Sequence, residues 1–460
     1  MRATPRPADV ARRGRPIRSV VVVGAGLAGA QTAAALRAEG FDGTVTVLGA
    51  EDVLPYDRPP LSKHLLDRPR PAWLIEELGV DLVALADDVR LGVTATSLVV
   101  DDDGVTIATT SAAAGATSPV RADALVVASG AHAVRPQGWA GVTLHTAADA
   151  AALRPRLVPG ARLVVVGAGW IGAEVAGAAA AAGVDVTVVE AGAAPLAAAL
   201  GERVGALTIP WYETAGVRLL TGDPAAAVRD DGVRLADGTE LAADVVLVAV
   251  GVRPATGWIG SALPRDPDGS LRVDPEHRIL DGPPHVRAVG DVARRWSPRH
   301  GWVAGGHWDA ALRGPATAVR ALLDDGAGRE GAGAVADPAP YVFSTQLGHD
   351  LTLLGRQDPT DELVLRGDPA GPGGWAALWF APAGPGLATD GAAEATADDA
   401  DDARGAAGAA AARRLTAALV VDRPRDVGAA RRLFTGATLP LLDPALAADP
   451  ERPLRDAVVG

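Results

Sequence analysis

Two copies of one glycine-rich pattern constrain this sequence more than any other feature. The first copy, Gly-Ala-Gly-Leu-Ala-Gly at 24–29, directly follows the β-branched run 20–23 and opens an alanine-rich stretch. The second copy, Gly-Ala-Gly-Trp-Ile-Gly at 167–172, follows the apolar run 163–166 in the same way. A lone GxGxxG is a weak signal, but a strand before it and a helix after it make it strong. The sequence therefore predicts two Rossmann-like dinucleotide-binding units.

Each glycine of the pattern has its own physical task. The first allows a tight turn, the second lets the backbone approach a pyrophosphate, and the third lets the helix pack closely on the strand. The helix that follows offers its free N–H groups and positive dipole end to the phosphates. The glycines concerned are Gly24, Gly26 and Gly29 in the first loop and Gly167, Gly169 and Gly172 in the second.

A carboxylate ends the second strand of the second unit. Glu190 follows the predicted strand 186–189 and stands 18 residues beyond Gly172. A carboxylate there accepts hydrogen bonds from ribose hydroxyls and repels a 2′-phosphate, which predicts a preference for NADH over NADPH. The alternative is a charge at a strand end without a ligand role. In the first unit Glu51 comes later after its strand, and it is the candidate ribose ligand there.

Further apolar runs end in glycine turns, which is where open α/β sheets bind ligands. The last third of the sequence instead shows short alternating segments and one helical stretch, which is typical of an α+β domain. We therefore expect an α/β protein with two Rossmann-like domains and an α+β carboxyl-terminal domain. The runs before glycine turns are 125–128, 245–250 and 286–289, the alternating segments are 341–355 and 362–380, and the helical stretch is 425–433.

A proline-rich segment follows the first unit. Residues 55–63 read Pro-Tyr-Asp-Arg-Pro-Pro-Leu-Ser-Lys. The prolines predict a rigid, extended loop. A rigid loop ending at Lys63 suits the placement of a cation against a flavin ring. As a bare pattern it is more often a surface turn, but its position after the first unit favours the cofactor role.

The composition excludes several kinds of chemistry. The chain has no cysteine, so structural disulfides, thiolate metal sites and a catalytic thiol are excluded. A net charge of −13 argues against nucleic-acid binding. The sequence has no long, uninterrupted apolar run, so we predict no membrane span.

Two segments do not fit a packed fold. Residues 1–17 are rich in arginine but have no apolar core, so we interpret them as a disordered tail and expect a cytoplasmic protein. Residues 382–412 are built from alanine, glycine, proline and acidic residues, which is typical of a solvated insertion loop. An acidic docking segment is the alternative for the second one.

These motifs together give the chain a specific resemblance. It resembles the FAD-dependent ferredoxin reductases of oxygenase systems, from about Arg18 to the carboxyl terminus apart from the acidic insertion. The segments that carry the resemblance are 56–63, Gly-Trp-Ile-Gly-Ala-Glu at 169–174, Gly-Asp-Val at 290–292 and His-Trp at 307–308.

The resemblance implies three parts. An FAD-binding domain at 18–135 and 254–333 would be interrupted by an NAD-binding domain at 136–253. A carboxyl-terminal reductase domain at 334–460 would help to cover the flavin. Because no thiol can relay electrons, the flavin would be the one redox centre, and the next acceptor would arrive on another molecule.

The resemblance also implies roles for single residues. Lys63 and Glu174 would be the catalytic pair that tunes the flavin, although Glu174 could instead be an acid favoured by the helix dipole. Asp291 would hold the ribityl chain, and His307 and Trp308 would lie beside the isoalloxazine. No metal ligand is predicted. The complete predicted cofactor-binding set is Gly24, Gly26, Leu27, Ala28, Gly29, Glu51, Arg58, Pro59, Lys63, Ala95, Ala128, Ser129, Gly130, His145, Gly167, Gly169, Trp170, Ile171, Gly172, Glu190, Gly251, Gly290, Asp291, His307 and Trp308.

The function implied by the resemblance is an NADH-dependent FAD reductase. It would pass electrons to a small [2Fe–2S] ferredoxin, or to a rubredoxin, that serves a cytochrome P450 or a ring-hydroxylating oxygenase. Two alternatives stay open: a flavin NADH oxidoreductase of quinone or oxygen, which would share every motif, and a redox-sensing interaction protein similar to apoptosis-inducing factor. We expect a monomer with no nucleic-acid or membrane partner.

Overall fold

The computed structural model describes residues 16–329, 335–382 and 412–459. The predicted tail 1–17 and insertion loop 382–412 therefore lie almost entirely outside the described residues. In the part of the chain that is described, no helix is both long enough and apolar enough to cross a bilayer.

The first part of the chain alternates strands with short helices. Its strands are β1 (Ser19–Val23), β2 (Thr44–Leu48), β3 (Tyr56–Asp57), β4 (Ala72–Trp73), β5 (Asp88–Arg90), β6 (Val93–Asp101), β7 (Gly104–Ser111), β8 (Gly115–Ala122), β9 (Ala124–Val127) and β10 (Ala131–Ala133). Its helices are α1 (Leu27–Ala38), α2 (Pro60–Lys63), α3 (Leu74–Leu78) and α4 (Leu82–Leu85).

The middle part repeats this alternation. Its helices are α5 (Ala147–Leu153), α6 (Trp170–Ala181), α7 (Ala197–Leu200), α8 (Glu202–Ala206) and α9 (Ile209–Thr214). Its strands are β11 (Arg162–Val166), β12 (Asp185–Glu190), β13 (Arg218–Thr221), β14 (Ala225–Arg229), β15 (Gly232–Leu235), β16 (Glu240–Ala242), β17 (Val245–Val248) and β18 (Val252–Pro254).

The remaining elements form a return segment and an antiparallel sheet. The return segment contains β19 (Leu271–Val273), β20 (Val286–Ala288), β21 (Ala293–Ser297), β22 (Gly301–Val303) and α10 (Trp308–Ala327). The last part contains β23 (Tyr341–Gln346), β24 (His349–Gly355), β25 (Glu362–Arg366), β26 (Trp375–Phe380), β27 (Arg413–Val421), α11 (Pro424–Leu433), β28 (Leu441–Leu442) and α12 (Pro444–Ala448).

Two parallel sheets form the centre of the fold. One has the strand order β20-β9-β1-β2-β5, and the other has the order β13-β12-β11-β17. β1 is buried along almost its whole length, as expected for a strand covered on both faces. β20 comes late in the chain and joins the first sheet beside β9, so the first unit is completed by the return segment.

A short antiparallel ladder lies where the chain passes between the two units. β10 pairs with β18, so the outgoing segment at Ala131–Ala133 lies beside the returning segment at Val252–Pro254. Both crossings between the sheets therefore occur at one place.

The last part is antiparallel, as the alternating sequence predicts. The strand order is β23-β24-β27-β26-β25, with β28 pairing on β27. One continuous hydrophobic cluster joins Val175 of α6 with Trp379 and Leu419 of this sheet. Gly177 of α6 permits the close approach, because a side-chain methyl group there would lie 2.6 Å from the Leu347 nitrogen. The middle unit and the carboxyl-terminal sheet thus share a core.

The proline-rich segment differs in part from the sequence prediction of an extended loop. Only Tyr56–Asp57 is extended, pairing with β4, and the chain then makes one helical turn at Pro60–Lys63. Proline is well suited to the first position of a helix, since its missing N–H would have no partner there and its fixed φ is already helical. The turn brings Ser62 and Lys63 to face α6.

Candidate functional site

One large cavity lies between the two parallel sheets and the carboxyl-terminal sheet. Its volume is about 960 Å³, at the upper end of the range for ligand sites. Both glycine loops line it, as do Lys63, Glu174 and Phe343. The carboxyl ends of β1 and β11 therefore open into one shared space.

The first glycine loop has the conformation that a phosphate-binding turn requires. Gly24 has a φ of +118°, which a residue with a side chain rarely adopts. A methyl group at Gly26 would meet no atom within 4 Å, whereas one at Gly29 would overlap the carbonyl oxygen of Gly24. α1 begins at Leu27 with no side-chain cap. Its first N–H groups therefore need another partner.

The second glycine loop repeats this geometry. Gly167 has a φ of +105°, Gly169 faces open space, and a methyl group at Gly172 would overlap the Gly167 carbonyl oxygen. α6 also begins without a side-chain cap, at Trp170. The two loops are thus matched in structure as well as in sequence.

Glu190 lies beside the second loop. Its Oε2 accepts a hydrogen bond from the Ala168 nitrogen and its Oε1 accepts one from the Gly192 nitrogen, both at 2.8 Å. These bonds fix the carboxylate at the edge of the cavity, which Glu190 lines. The carboxylate retains acceptor sites beyond these two bonds, since an ionised carboxylate has about four.

Glu51 forms a network beside the first loop. Its Oε2 accepts from the Tyr56 hydroxyl at 2.6 Å, and its Oε1 accepts from Arg58 Nη2 at 2.7 Å. Arg58 Nη1 also donates to the His145 carbonyl oxygen. Burial raises the pKa of Tyr56, so its hydroxyl stays protonated and continues to donate. The network ties the proline-rich segment to residues 145–147, because the Ala147 nitrogen donates to the Tyr56 hydroxyl.

Lys63 and Glu174 form an ion pair inside the cavity wall. Lys63 Nζ bonds Glu174 Oε1, and the side chains are 12% and 4% exposed. Glu174 also accepts from Ser62 Oγ and Ser344 Oγ, both at 2.5 Å. Two different parts of the chain, the turn of α2 and strand β23, therefore converge on this carboxylate. A charge buried to this extent is tolerated because it is paired and hydrogen-bonded.

Aromatic side chains form the wall next to Lys63. Its ammonium lies 5.0 Å from the centre of the Phe343 ring, which packs edge-on against Trp308 at 6.4 Å. Trp308 Nε1 donates to Asp57 Oδ1 at 2.7 Å, which fixes the indole plane. Burial raises the pKa of Asp57.

Asp291 and His145 complete the polar lining. Asp291 Oδ1 accepts from the Gly306 nitrogen at 3.1 Å, and burial raises the pKa of its carboxyl. His145 Nε2 lies 2.7 Å from the Ala131 carbonyl oxygen. Burial lowers the pKa of His145, with Arg58 acting in the same direction, so the ring is neutral at pH 7.

Nearly all the residues predicted from the sequence meet at this cavity. Every predicted cofactor-binding residue lines it except Gly29, Gly172 and His307. Gly29 and Gly172 lie behind their loops, where they allow close packing. The His307 Nδ1 is buried and has no hydrogen-bond partner among the described residues, and burial lowers the pKa of the ring.

The cavity fits two dinucleotides. Each glycine loop has an open cradle at its second glycine and an uncapped helix amino terminus, which suits a pyrophosphate. A carboxylate lies beside each loop at Glu51 and Glu190. Among the described residues, no group of three or more His, Asp or Glu side chains is arranged to hold a metal ion.

Sequence reasoning missed two groups that the structure brings to the site. Ser62 and Ser344 bond Glu174, and Ser344 lies 170 residues from it along the chain, so no local pattern could reveal the contact. Lys63 is predicted from the proline-rich segment, and the sequence holds a further signal for it. It is the single lysine of the chain, and all other residues in the Lys plus Arg total of 43 are arginines. A chain that uses arginine everywhere else keeps a lysine where its compact ammonium meets a carboxylate.

Known proteins share both the sequence pattern and the fold. The model of the pyridine nucleotide-disulphide oxidoreductase family matches residues 18–321. The ferredoxin–NAD(+) reductase component of the anthranilate 1,2-dioxygenase system of Burkholderia cepacia is 34% identical, over 94% of this chain and 97% of that relative. The corresponding subunit of the benzene 1,2-dioxygenase system of Pseudomonas putida is 32% identical, over 95% of this chain and 97% of that one.

Similar solved structures point to the same kind of protein as these relatives. The crystal structure of Fdr9 is 39% identical with a TM-score of 0.77, covering 95% of this chain and 99% of that one. Putidaredoxin reductase in its covalent complex with putidaredoxin is 25% identical with a TM-score of 0.78, covering 96% and 98%. The chain therefore belongs to the pyridine nucleotide-disulphide oxidoreductase family, in the branch represented by the ferredoxin reductases, and it does so without any cysteine to form a redox disulfide.

Proposed function

We propose that this protein is an NADH-dependent FAD reductase that passes electrons to a small [2Fe–2S] ferredoxin, or to a rubredoxin, serving a cytochrome P450 or a ring-hydroxylating oxygenase. The observation that carries the proposal is the single cavity that both glycine loops and the Lys63–Glu174 pair line. The names of the relatives support the acceptor, since the reductases of the anthranilate and benzene dioxygenase systems are ferredoxin–NAD(+) reductases.

The first glycine loop would hold FAD. The N–H groups at the start of α1 would bind its pyrophosphate, and Glu51 would accept from its adenosine ribose. Asp291, which lines the cavity and is largely buried, would accept from the ribityl hydroxyls. These assignments rest on the position of each group in the cavity wall.

The second glycine loop would hold NADH. The N–H groups at the start of α6 would bind the pyrophosphate of NADH, and Glu190 would accept from the ribose hydroxyls. Trp170 is the first residue of α6 and lines the cavity, so it would flank the nicotinamide.

The protein groups near the reacting centre would position the flavin and tune the charge around it. Bound FAD supplies the redox chemistry, since a flavin takes two electrons from NADH and can release them one at a time. The Lys63 ammonium would favour negative charge in the cavity, and Glu174 would compensate that ammonium when the cavity lacks such charge. Trp308, fixed by Asp57, would form the wall of the ring pocket.

The domain division would follow the sheets. We place the FAD-binding domain at 18–135 and 254–333, the NAD-binding domain at 136–253 and the carboxyl-terminal domain at 334–460. The ladder of β10 with β18 supports these boundaries, because it joins the outgoing and the returning segments at one place. A cytoplasmic location and a monomeric state stay predictions.

The identity of the electron acceptor can be tested directly. NADH-driven reduction of cytochrome c would be measured with FAD-loaded protein, with and without an added [2Fe–2S] ferredoxin. The proposal predicts a rate that rises with ferredoxin concentration and saturates. Equal rates with and without ferredoxin would favour a reductase of small acceptors, and a very slow turnover in both cases would favour a redox sensor.

A further inference from the structure

Three donors from two elements hold the Glu174 carboxylate. Its Oε1 pairs with Lys63 and accepts from Ser344 Oγ, while its Oε2 accepts from Ser62 Oγ. Ser62 and Lys63 lie on the turn of α2, whereas Ser344 lies on β23 of the carboxyl-terminal sheet. One donor to the ion pair thus comes from a part of the chain that carries neither glycine loop.

The cluster is shielded from water. Ser62, Glu174, Ser344 and Gln346 are between 2% and 6% exposed. A buried carboxylate remains charged only when donors replace the water it has lost, so each hydroxyl contributes to its charge and orientation. Gln346 Nε2 donates to Ser344 Oγ at 3.2 Å. That bond uses an acceptor site of the hydroxyl and leaves its proton for Glu174.

The same strand also contacts Lys63 directly. Phe343, the neighbour of Ser344 on β23, presents its ring to the Lys63 ammonium at 5.0 Å and lines the cavity. The ammonium therefore contacts both the Phe343 ring and the Glu174 carboxylate. The contacts made by Phe343 and Ser344 both depend on how β23 sits against α2 and α6.

We propose that Ser344 is a positioning residue, whose hydroxyl holds the Glu174 carboxylate on the Lys63 ammonium and so sets how much positive charge faces the bound flavin. This inference rests on the proposed function. Without the hydroxyl, the carboxylate loses the donor that fixes its orientation from β23, so Oε1 is no longer held on Lys63. More uncompensated positive charge then faces the flavin, which favours the reduced form and raises the midpoint potential.

The single lysine makes a direct test possible. Lys63 is the only side-chain amine of the chain, so acylation by an amine reagent can be followed by intact mass and assigned by peptide mapping. Ser344→Ala should raise the rate of Lys63 acylation about fivefold, in FAD-free and FAD-loaded protein, since loss of one net hydrogen bond corresponds to a factor of that size. Ser344→Thr keeps a hydroxyl and should retain the wild-type rate.

Thr345→Ala is the matched control. Thr345 is the next residue on β23, is exposed, and bonds Asp350 at 2.7 Å rather than Glu174. It removes a hydroxyl from the same strand without touching the ion pair. It should therefore leave the acylation rate unchanged.

The flavin midpoint potential gives the second readout. It should become more positive in Ser344→Ala, in the same direction as in Glu174→Gln but by less, and should not move in Ser344→Thr or Thr345→Ala. An unchanged acylation rate and potential in Ser344→Ala, or an equal change in Thr345→Ala, would overturn the proposal. Failure of NADH to reduce the wild-type flavin would instead overturn the proposed function, and it would leave the acylation result intact.

Discussion

At the scale of single residues, Glu190 offers the sharpest test of cofactor choice. The carboxylate is fixed by the nitrogens of Ala168 and Gly192 at the edge of the cavity. A fixed negative charge repels the extra phosphate of NADPH, whose attraction needs a cation instead. The identity of this one side chain should therefore decide between the two nicotinamide cofactors.

We expect Glu190→Arg to shift the ratio of kcat/KM for NADPH over NADH upward by about tenfold or more, since one charge contact is worth about 1.4 kcal/mol or more. The measurement is steady-state kinetics with each cofactor. Glu202→Arg makes the same charge change outside the cavity lining and is the control. An unchanged ratio in Glu190→Arg would remove Glu190 from the ribose site.

Asp291 gives a second test at this scale. It is the largely buried carboxylate that accepts from the Gly306 nitrogen in the cavity wall. Asp291→Ala should give folded protein depleted of FAD, because a ribityl acceptor is lost. The ratio of flavin to protein absorbance after purification measures this. Asp309→Ala, at a nearby acid paired with Arg313 outside the lining, should keep its FAD.

Whether a site residue can be predicted from the sequence depends on how far along the chain its partners lie. Lys63 follows a readable proline pattern, and Glu190 ends a readable strand, so both were predicted and both line the cavity. Ser344 was missed because its partner lies on another element, and a serine in an alternating strand carries no signal of its own. The placement of His307 outside the cavity lining also follows from packing that no local pattern specifies.

At the scale of elements, each glycine loop separates a binding position from a packing position. A methyl group at Gly169 would point into open cavity, whereas one at Gly172 would overlap the Gly167 carbonyl oxygen. The same substitution should therefore have different effects at positions three residues apart.

We expect Gly169→Ala to fold normally but to raise the KM for NADH by about tenfold, since the methyl group takes the place of the approaching pyrophosphate. Gly172→Ala should lower the free energy of unfolding by about 2 kcal/mol or more, through overpacking of α6 on β11. Urea unfolding and NADH kinetics of the two variants measure the two effects. Equal destabilisation of both variants would contradict the assigned roles.

The elements around these loops were predictable because their signals are local. A β-branched strand, a glycine turn and an alanine-rich helix lie within about 20 residues, and both parallel units formed as predicted. The prolines of residues 55–63 predict a rigid, extended loop, yet the end of the segment is helical, because Pro60 suits the first position of a helix as well as it suits a loop. Proline fixes φ without deciding which element follows.

At the scale of the whole molecule, the middle unit and the carboxyl-terminal sheet share one hydrophobic core. Trp211 of α9 also stacks on His349 of β24 at 4.2 Å. No sequence pattern predicts such a contact, since it depends on how the middle unit and the carboxyl-terminal sheet pack together. The packing has a consequence for the site, because it is what brings β23 to Glu174.

Stability at low pH should depend on His277, a buried residue of the return segment. Burial lowers its pKa from 6.5 to about 4, with Arg295 acting in the same direction. The unfolded chain therefore takes up a proton below about pH 6.5 that the folded chain does not. This contribution to stability is present above pH 6.5 and is lost as the pH falls, by about 2 kcal/mol between pH 7 and pH 5.

His277→Asn should reduce the decrease in the free energy of unfolding between pH 7 and pH 5. Asparagine tolerates the left-handed backbone at this position, where φ is +64°, and its amide can donate to the Ala288 carbonyl oxygen as Nδ1 does. Urea unfolding at several pH values, with FAD held constant, measures the slope. An identical slope in wild type and variant would show that His277 titrates normally.

The proposed function requires that one cavity brings NADH and FAD together. An anaerobic titration of the FAD-loaded wild-type protein with NADH, followed by its visible absorption, measures this. We expect the flavin absorption to bleach in proportion to added NADH, with an endpoint near one NADH per FAD, and to return when oxidised [2Fe–2S] ferredoxin is added. If FAD is bound but is not bleached by NADH, the two cofactors do not meet in this cavity.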